Sequence, residues 1–360
     1  MTLKSYLTGE AMLTDQAMKE PTFKEAFEML CRHAGENGRE EVLFGDSLPR
    51  AKEYVPPYLT GMMFPETYFE FPLSGNPFLD AVVSYGRMIP GMKTEAGDEA
   101  GEILEWVANT QKTHRDIAVG FELDTHCKEF TTPAIHFQPR RSTETVRPFC
   151  ELIGENESAK LYLDMCDRMQ NTWPLSLFGL FRGRSNSPLR ISGYLTKEAK
   201  EAYSFNPKAI AGVFDTIGFK AYSSEMLSQV SEIIGIAPDS LDFQFDVYPD
   251  YTIGDKFSLD VHIKERQTDA ILNALSNGPL SEIINMWKDL GILDERIELV
   301  KECTMKQSFS IIRNNGSLGE YILEYRPKWI KISWKDARPV ISKCYCLIWG
   351  GVAWKNPLKK

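Results

Sequence analysis

Residues Trp329–Trp349 read WIKISWKDARPVISKCYCLIW. Apolar and polar residues alternate on both sides of a short turn, the pattern of two antiparallel strands joined as a hairpin. Working outward, the same unit recurs as DFQFDVYPDYTIGDKFSLDVHIKE from Asp242, SLFGLFRGRSNSPLRISGYL from Ser176, AVGFELDTHCKEFTTPAIHFQPR from Ala118 and YFEFPLSGNPFLDAVVSYG from Tyr68. Each holds two alternating runs around a turn rich in Gly, Pro, Asn or Asp. The starts lie roughly 50 to 85 residues apart, a spacing that prompts a search for repeat architecture. Identity between copies is slight, so the repeat is one of structure.

The stretches between hairpins carry helical spacing. PTFKEAFEMLCRHA places Phe23, Phe27 and Leu30 on one face, and residues 1–60 read as an N-terminal helical layer. DEAGEILEWVANTQ puts Ile103, Leu104 and Val107 on a stripe behind an Asp98 cap. Later linkers repeat the device with Leu161, Met165 and Met169, with Ile210, Val213, Phe214 and Ile217, with Met226, Leu227, Val230 and Ile234, and with Ile283, Ile284 and Trp287. One apolar stripe per linker is enough to coat the outside of a sheet. Strand pairs joined by such helices close into a barrel wrapped by helices. The expected fold is therefore α+β: an antiparallel ten-stranded β-barrel of repeated hairpins over residues 66–350, in a single domain spanning 1–360. Met305–Tyr325 fits this scheme as a further hairpin or as a long connection.

Composition narrows the function. At 360 residues and 43% hydrophobic content the chain can bury a large core. It holds no apolar run near the roughly 20 residues needed to cross a bilayer, and MTLKSYLTGEAMLTDQ lacks a secretory apolar centre, so the reading is cytoplasmic with no membrane partner. Seven cysteines without a CxxC pair argue against a disulfide framework and a zinc ribbon. A net charge of −9 argues against a nucleic-acid partner. It leaves room for a small anion met by a few converging cations.

Closure of the sheet is favoured by the polar positions facing away from the helices: Glu70, His136, Arg190, Ser192, Tyr194, His262, Lys264, Lys331 and Tyr345. A wide antiparallel barrel encloses a chamber, which such a lining requires.

The pattern resembles the ABBA aromatic prenyltransferases over about Tyr68 to Trp349. PLRISGYL at Pro188 resembles the inward Arg-x-Lys-x-Tyr strand of the dimethylallyltryptophan synthase branch. WIKISWKDARPVISKCYC at Trp329 resembles the closing hairpin of that branch and of the cyanobactin peptide prenyltransferases, and SLDVHIKE at Ser258 a basic strand of the latter. The resemblance implies a barrel of ten antiparallel strands with helices outside, and transfer of an isoprenyl group, dimethylallyl or geranyl, from its diphosphate to an aromatic small molecule or peptide in natural-product biosynthesis. By resemblance Arg190 and Tyr194 match the inward Arg and Tyr, and Glu70 falls where the family keeps its catalytic carboxylate. Ser192 and His136 stand where lysines are expected, which removes positive charge from the donor site.

The chemistry asks for these residue types. Ionising an allylic diphosphate leaves an anion of about three charges and a delocalised carbocation, both to be stabilised away from water. Arg190, Lys264 and Lys331 supply cations, with His136 and His262 as further donors for the diphosphate. Tyr194 and Tyr345 offer π faces to the carbocation, worth about 0.5 to 2 kcal/mol each, and Tyr194 a hydroxyl to the phosphate. Glu70 is placed to take a proton from an indole N–H or phenol. No DDxxD element is present, no metal ligands are assigned, and a magnesium cofactor is left open.

Each residue has an ordinary alternative. A charged strand residue often stands on a solvated face, His136 and His262 serve structure as readily as catalysis, and Asp260 pairs with His262 or Lys264. Cys344 and Cys346 read as strand packing, and GRSNSPLR at Gly183 as a hairpin turn. The competing functions are a non-catalytic barrel that binds a hydrophobic small molecule in an apolar chamber, and an α+β enzyme with two open sheets and no chamber.

Overall fold

A computed structural model describes residues 18–60, 64–169, 173–182, 187–238 and 240–353. Alternation in the five hairpin segments produces strands β2 (Glu66–Pro72), β3 (Asp80–Tyr85), β4 (Ala118–Leu123), β5 (Ala134–Gln138), β6 (Leu175–Leu180), β7 (Leu189–Tyr194), β8 (Leu241–Val247), β9 (Ile253–His262), β11 (Leu318–Lys335) and β12 (Arg338–Val352). Two more, β1 (Met18–Lys19) and β10 (Met305–Ile312), extend one edge. The sheet runs β1-β10-β11-β12-β2-β3-β4-β5-β6-β7-β8-β9, and β9 pairs back onto β11. That last pairing, Trp329 with His262 through Lys335 with Lys256, closes ten antiparallel strands into a barrel. Two open sheets are excluded.

β11 is forked. Leu318–Tyr325 pairs with β10, whereas Trp329–Lys335 pairs with β9. Pro327 sits at the fork, where the register with β12 shifts; it has no N–H for the ladder, so the irregularity falls where a donor is missing. The segment 305–325 is thus a hairpin feeding directly into the barrel. β1 pairs in parallel with Ile311 and Ile312, a long-range contact that local pattern does not announce.

Helices coat the outside: α1 (Phe23–Gly35), α2 (Leu48–Tyr54), α3 (Asp98–Thr110), α4 (Val146–Leu152), α5 (Asn156–Met169), α6 (Lys197–Tyr203), α7 (Pro207–Ile217), α8 (Ser224–Ile236), α9 (Thr268–Ser276), α10 (Pro279–Asp289) and α11 (Arg296–Cys303). Of the N-terminal layer, residues 1–17 lie outside the described residues, and α1 starts on a Thr22–Glu25 capping box. In α3 the expected cap is displaced: Asp98 is the first helical residue and Gly97, at φ 104°, precedes it without a side-chain bond. The core lies between helices and barrel. Phe44 meets Phe69 and Phe71 edge-on at 5.9 and 5.2 Å, Phe149 stacks on Phe137 at 3.9 Å, and Trp173 packs on Phe243 and Phe257 at 4.8 and 5.9 Å. Each such ring stabilises the coat by about 1.5–3 kcal/mol through burial alone. Because side chains alternate, committing these to the coat turns their neighbours into the bore. Among the described residues no helix is long and apolar enough to cross a membrane.

Candidate active site

The inward positions of β2, β7, β8, β9, β11 and β12 meet in one cavity. Their side chains fill much of the bore and leave about 370 Å³, including the part continuous with solvent. Four cations line it: Arg190, Lys256, Lys331 and Lys343. Glu70, Gln244, Phe245, Asp246, Ser258, Ser333 and Tyr345 complete the wall.

Three of these cations hold carboxylates. Arg190 Nε donates to Asp246 at 3.0 Å, Lys343 donates to Glu70, and Lys331 Nζ stands 3.6 Å from Asp260. Lys331 also donates to the Tyr345 hydroxyl at 2.8 Å and to Gln244 Oε1 at 2.9 Å. Lys256 has no hydrogen-bond or ion-pair partner among the described residues. Burial, with Arg190, Lys343 and Lys331 adding repulsion, brings its ammonium down to about 8. Such a group gains from any anion that enters.

Burial works to raise Glu70, but the Lys343 ammonium prevails and holds the carboxylate below its ordinary value. It is anionic at neutral pH. Burial likewise opposes charge on Arg190 and Lys343, and their acidic partners, Asp246 and Glu122 for the first and Glu70 for the second, raise both above their usual values. Asp260 is different: burial pushes it up to about 6 against the pull of Lys331.

Aromatic rings wall the bore beside the cations. Trp329 stacks on Tyr345 with centroids 4.7 Å apart, and Tyr68 packs on Trp329 at 4.8 Å. Lys331 Nζ lies 4.7 Å from the Tyr345 ring centre. Phe181 lies under the Arg190 guanidinium at 4.5 Å and Phe78 beside Lys343 at 5.0 Å.

The sequence-derived residues therefore divide. Glu70, Arg190, Lys331 and Tyr345 come together. His136 is paired with Glu122 at 2.8 Å on the wall formed by β4 and β5, and His262 lies 3.0 Å from Asp242 beside Trp329; neither lines the cavity. Tyr194 is corrected: four residues beyond Arg190 on one strand is about 13 Å, and it sits 37% exposed opposite Asp242. Lys264 is corrected too, since β9 ends at His262 and leaves Lys264 exposed past the strand. Asp260 pairs with Lys331 rather than with His262 or Lys264. Cys344 and Cys346 are buried on the coat side, as strand packing requires. The turn at Gly183 falls outside the described residues over 183–186.

Sequence reasoning missed Lys256, Lys343, Asp246 and Trp329. The signal was present for the first two: Lys256 is two residues before Ser258 and Lys343 two before Tyr345, on the same strand faces. Asp80, Asp124 and His126 form the one group of potential metal ligands among the described residues. His126 Nδ1 already bonds Asp80 at 2.6 Å, and the positive charge of Lys343 acts on both.

No protein-family model matches the sequence, and no curated protein matches it. Solved structures do match. The chain is similar to the prenyltransferase PriB in its apo form, with a TM-score of 0.52 and 12% identity over 91% of this chain and 96% of that one. Lower scores are found for AnaPT from Neosartorya fischeri (0.47, 10% identity, 92% and 93% covered) and for 5-dimethylallyltryptophan synthase from Streptomyces coelicolor (0.44, 12% identity, 96% and 100% covered). The likeness to PriB establishes the fold: the chain is a prenyltransferase-type barrel.

Proposed function

We propose that the protein is an aromatic prenyltransferase, taking an isoprenyl diphosphate as donor and an aromatic small molecule or peptide as acceptor. The observation that carries this reading is the convergence of Arg190, Lys256, Lys331 and Lys343 beside the Tyr345–Trp329 aromatic wall inside a closed bore. The cations receive the diphosphate. When the allylic C–O bond breaks, the electron pair leaves with the diphosphate, and the aromatic faces of Tyr345, Trp329 and Tyr68 stabilise the carbocation. The acceptor carbon or heteroatom forms the new bond and gives up a proton. Glu70, kept anionic by Lys343, is a carboxylate in the cavity that can receive it. An apolar ligand carrier has little support, because charged residues line the cavity.

Calorimetric titration with dimethylallyl and geranyl thiolodiphosphates, with and without magnesium, tests the reading before any acceptor is known. The expected result is saturable micromolar binding that is weakened at least tenfold in Arg190→Ala and in Lys256→Ala. No binding of either analogue by the folded wild type overturns it.

A further inference from the structure

The chamber is already close to electrically balanced. Arg190 holds Asp246, Lys343 holds Glu70 and Lys331 faces Asp260, so only Lys256 is unpaired. A diphosphate bringing about three negative charges exceeds the one unpaired cation, so paired cations are drawn to it as well. Arg190 can keep Asp246 on Nε and present its other nitrogens to phosphate. Lys343 and Glu70 are in direct hydrogen bond. The loosest pair is Lys331–Asp260: at 3.6 Å it has no hydrogen bond, and Asp260 Oδ1 is buried without any. Lys331 donates to Tyr345 and Gln244, but of the three paired cations it alone breaks no hydrogen bond to a carboxylate when it turns to a ligand.

Asp260 then loses the only cation within ion-pair distance among the described residues. It is 4% exposed, its Oδ2 accepts from Gln244 Nε2 on β8 at 3.3 Å, and it faces Asp242 on β8, Glu70 on β2 and His262 on its own strand. Two like charges oppose its ionisation, and the one positive group left near it, His262, already stands 3.0 Å from Asp242.

Resting on the donor reading above, we propose that Asp260 is the positioning residue that yields Lys331 to the donor diphosphate, and that it takes up a proton as it does so. Burial has already lifted this carboxyl to about 6, so a modest further rise carries it past neutrality.

The test is calorimetry of dimethylallyl thiolodiphosphate binding at pH 7 in buffers of different ionisation enthalpy. At that pH Lys256 is still largely protonated, and the ligand's last ionisation, about pH 6, is mostly complete. The expected result is uptake of about 0.5 to 1 proton per ligand, with affinity falling at least threefold between about pH 6.5 and 7.5. Asp260→Asn is expected to bind without uptake and to lose that pH dependence. Uptake retained by a folded Asp260→Asn assigns the proton to another group and overturns the proposal. Should the variant fail to fold, a wild-type affinity flat across that range overturns it equally. Saturable wild-type binding without uptake removes this inference and leaves the donor site standing; no binding removes both.

Discussion

At the residue scale, charge pairing separates two cations of the proposed donor site. Lys256→Ala removes a cation surrounded by Arg190, Lys343 and Lys331 and orphans no carboxylate. Its unfolding free energy is expected to hold or rise slightly, while analogue affinity falls about 10- to 100-fold, the equivalent of a charge-assisted bond of about 1.5–3 kcal/mol. Arg190→Ala loses similar affinity but leaves Asp246 without its partner, and costs about 1–3 kcal/mol in urea unfolding. Asp260 sets a pH dependence of opposite sign to the usual carboxylate. Its folded value of about 6 lies above the unfolded one of about 3.9, so the native state binds the extra proton between them. Stability from this group is present below about pH 4 and is lost as pH rises to 6, on the order of 2 kcal/mol. Unfolding at pH 4.5 and 7 is expected to show that loss in the wild type and not in Asp260→Asn. The site was legible where alternation and residue type agreed, as at Arg190, Lys331 and Glu70. Tyr194 and Lys264 shared a strand face with real lining residues but stood at or past the strand's end, a boundary that alternation does not mark.

At the element scale, two glycines make opposite predictions. A Cβ on Gly193 in β7 would lie 2.3 Å from the Pro174 carbonyl and 2.5 Å from Phe243 Cζ, beside the register shift in β6. Gly193→Ala is expected to cost more than about 2 kcal/mol. Gly101 lies inside α3 with nothing within 4 Å of a Cβ, so Gly101→Ala is expected to add about 0.5–1 kcal/mol. Thermal and denaturant unfolding of the two variants checks both signs. The five hairpins were legible because each is local: alternation and turn chemistry lie within some twenty residues. The β1–β10 pairing and the fork of β11 were not, because they depend on where distant segments dock and on one missing donor at Pro327.

At the scale of the whole molecule, closure makes the site. The β9–β11 pairing brings Lys256, Ser258 and Asp260 across from Lys335, Ser333 and Lys331, with Ser258 and Ser333 hydrogen-bonded at 2.8 Å. The coat follows the seam: Phe257 packs on Trp334, whose indole donates to Gln229 of α8 at 2.9 Å. An acidic chain of net charge −9 can thus keep four cations converging in its interior, because the fold and not the total charge sets the local field. A crystal structure with dimethylallyl thiolodiphosphate tests whether this interior is a prenyl diphosphate site. The diphosphate is expected within hydrogen-bond reach of Arg190, Lys256, Lys331 and Lys343, with the prenyl tail against Tyr345 and Trp329. A ligand held outside the barrel, or tail-first with its phosphates away from those four side chains, would contradict it.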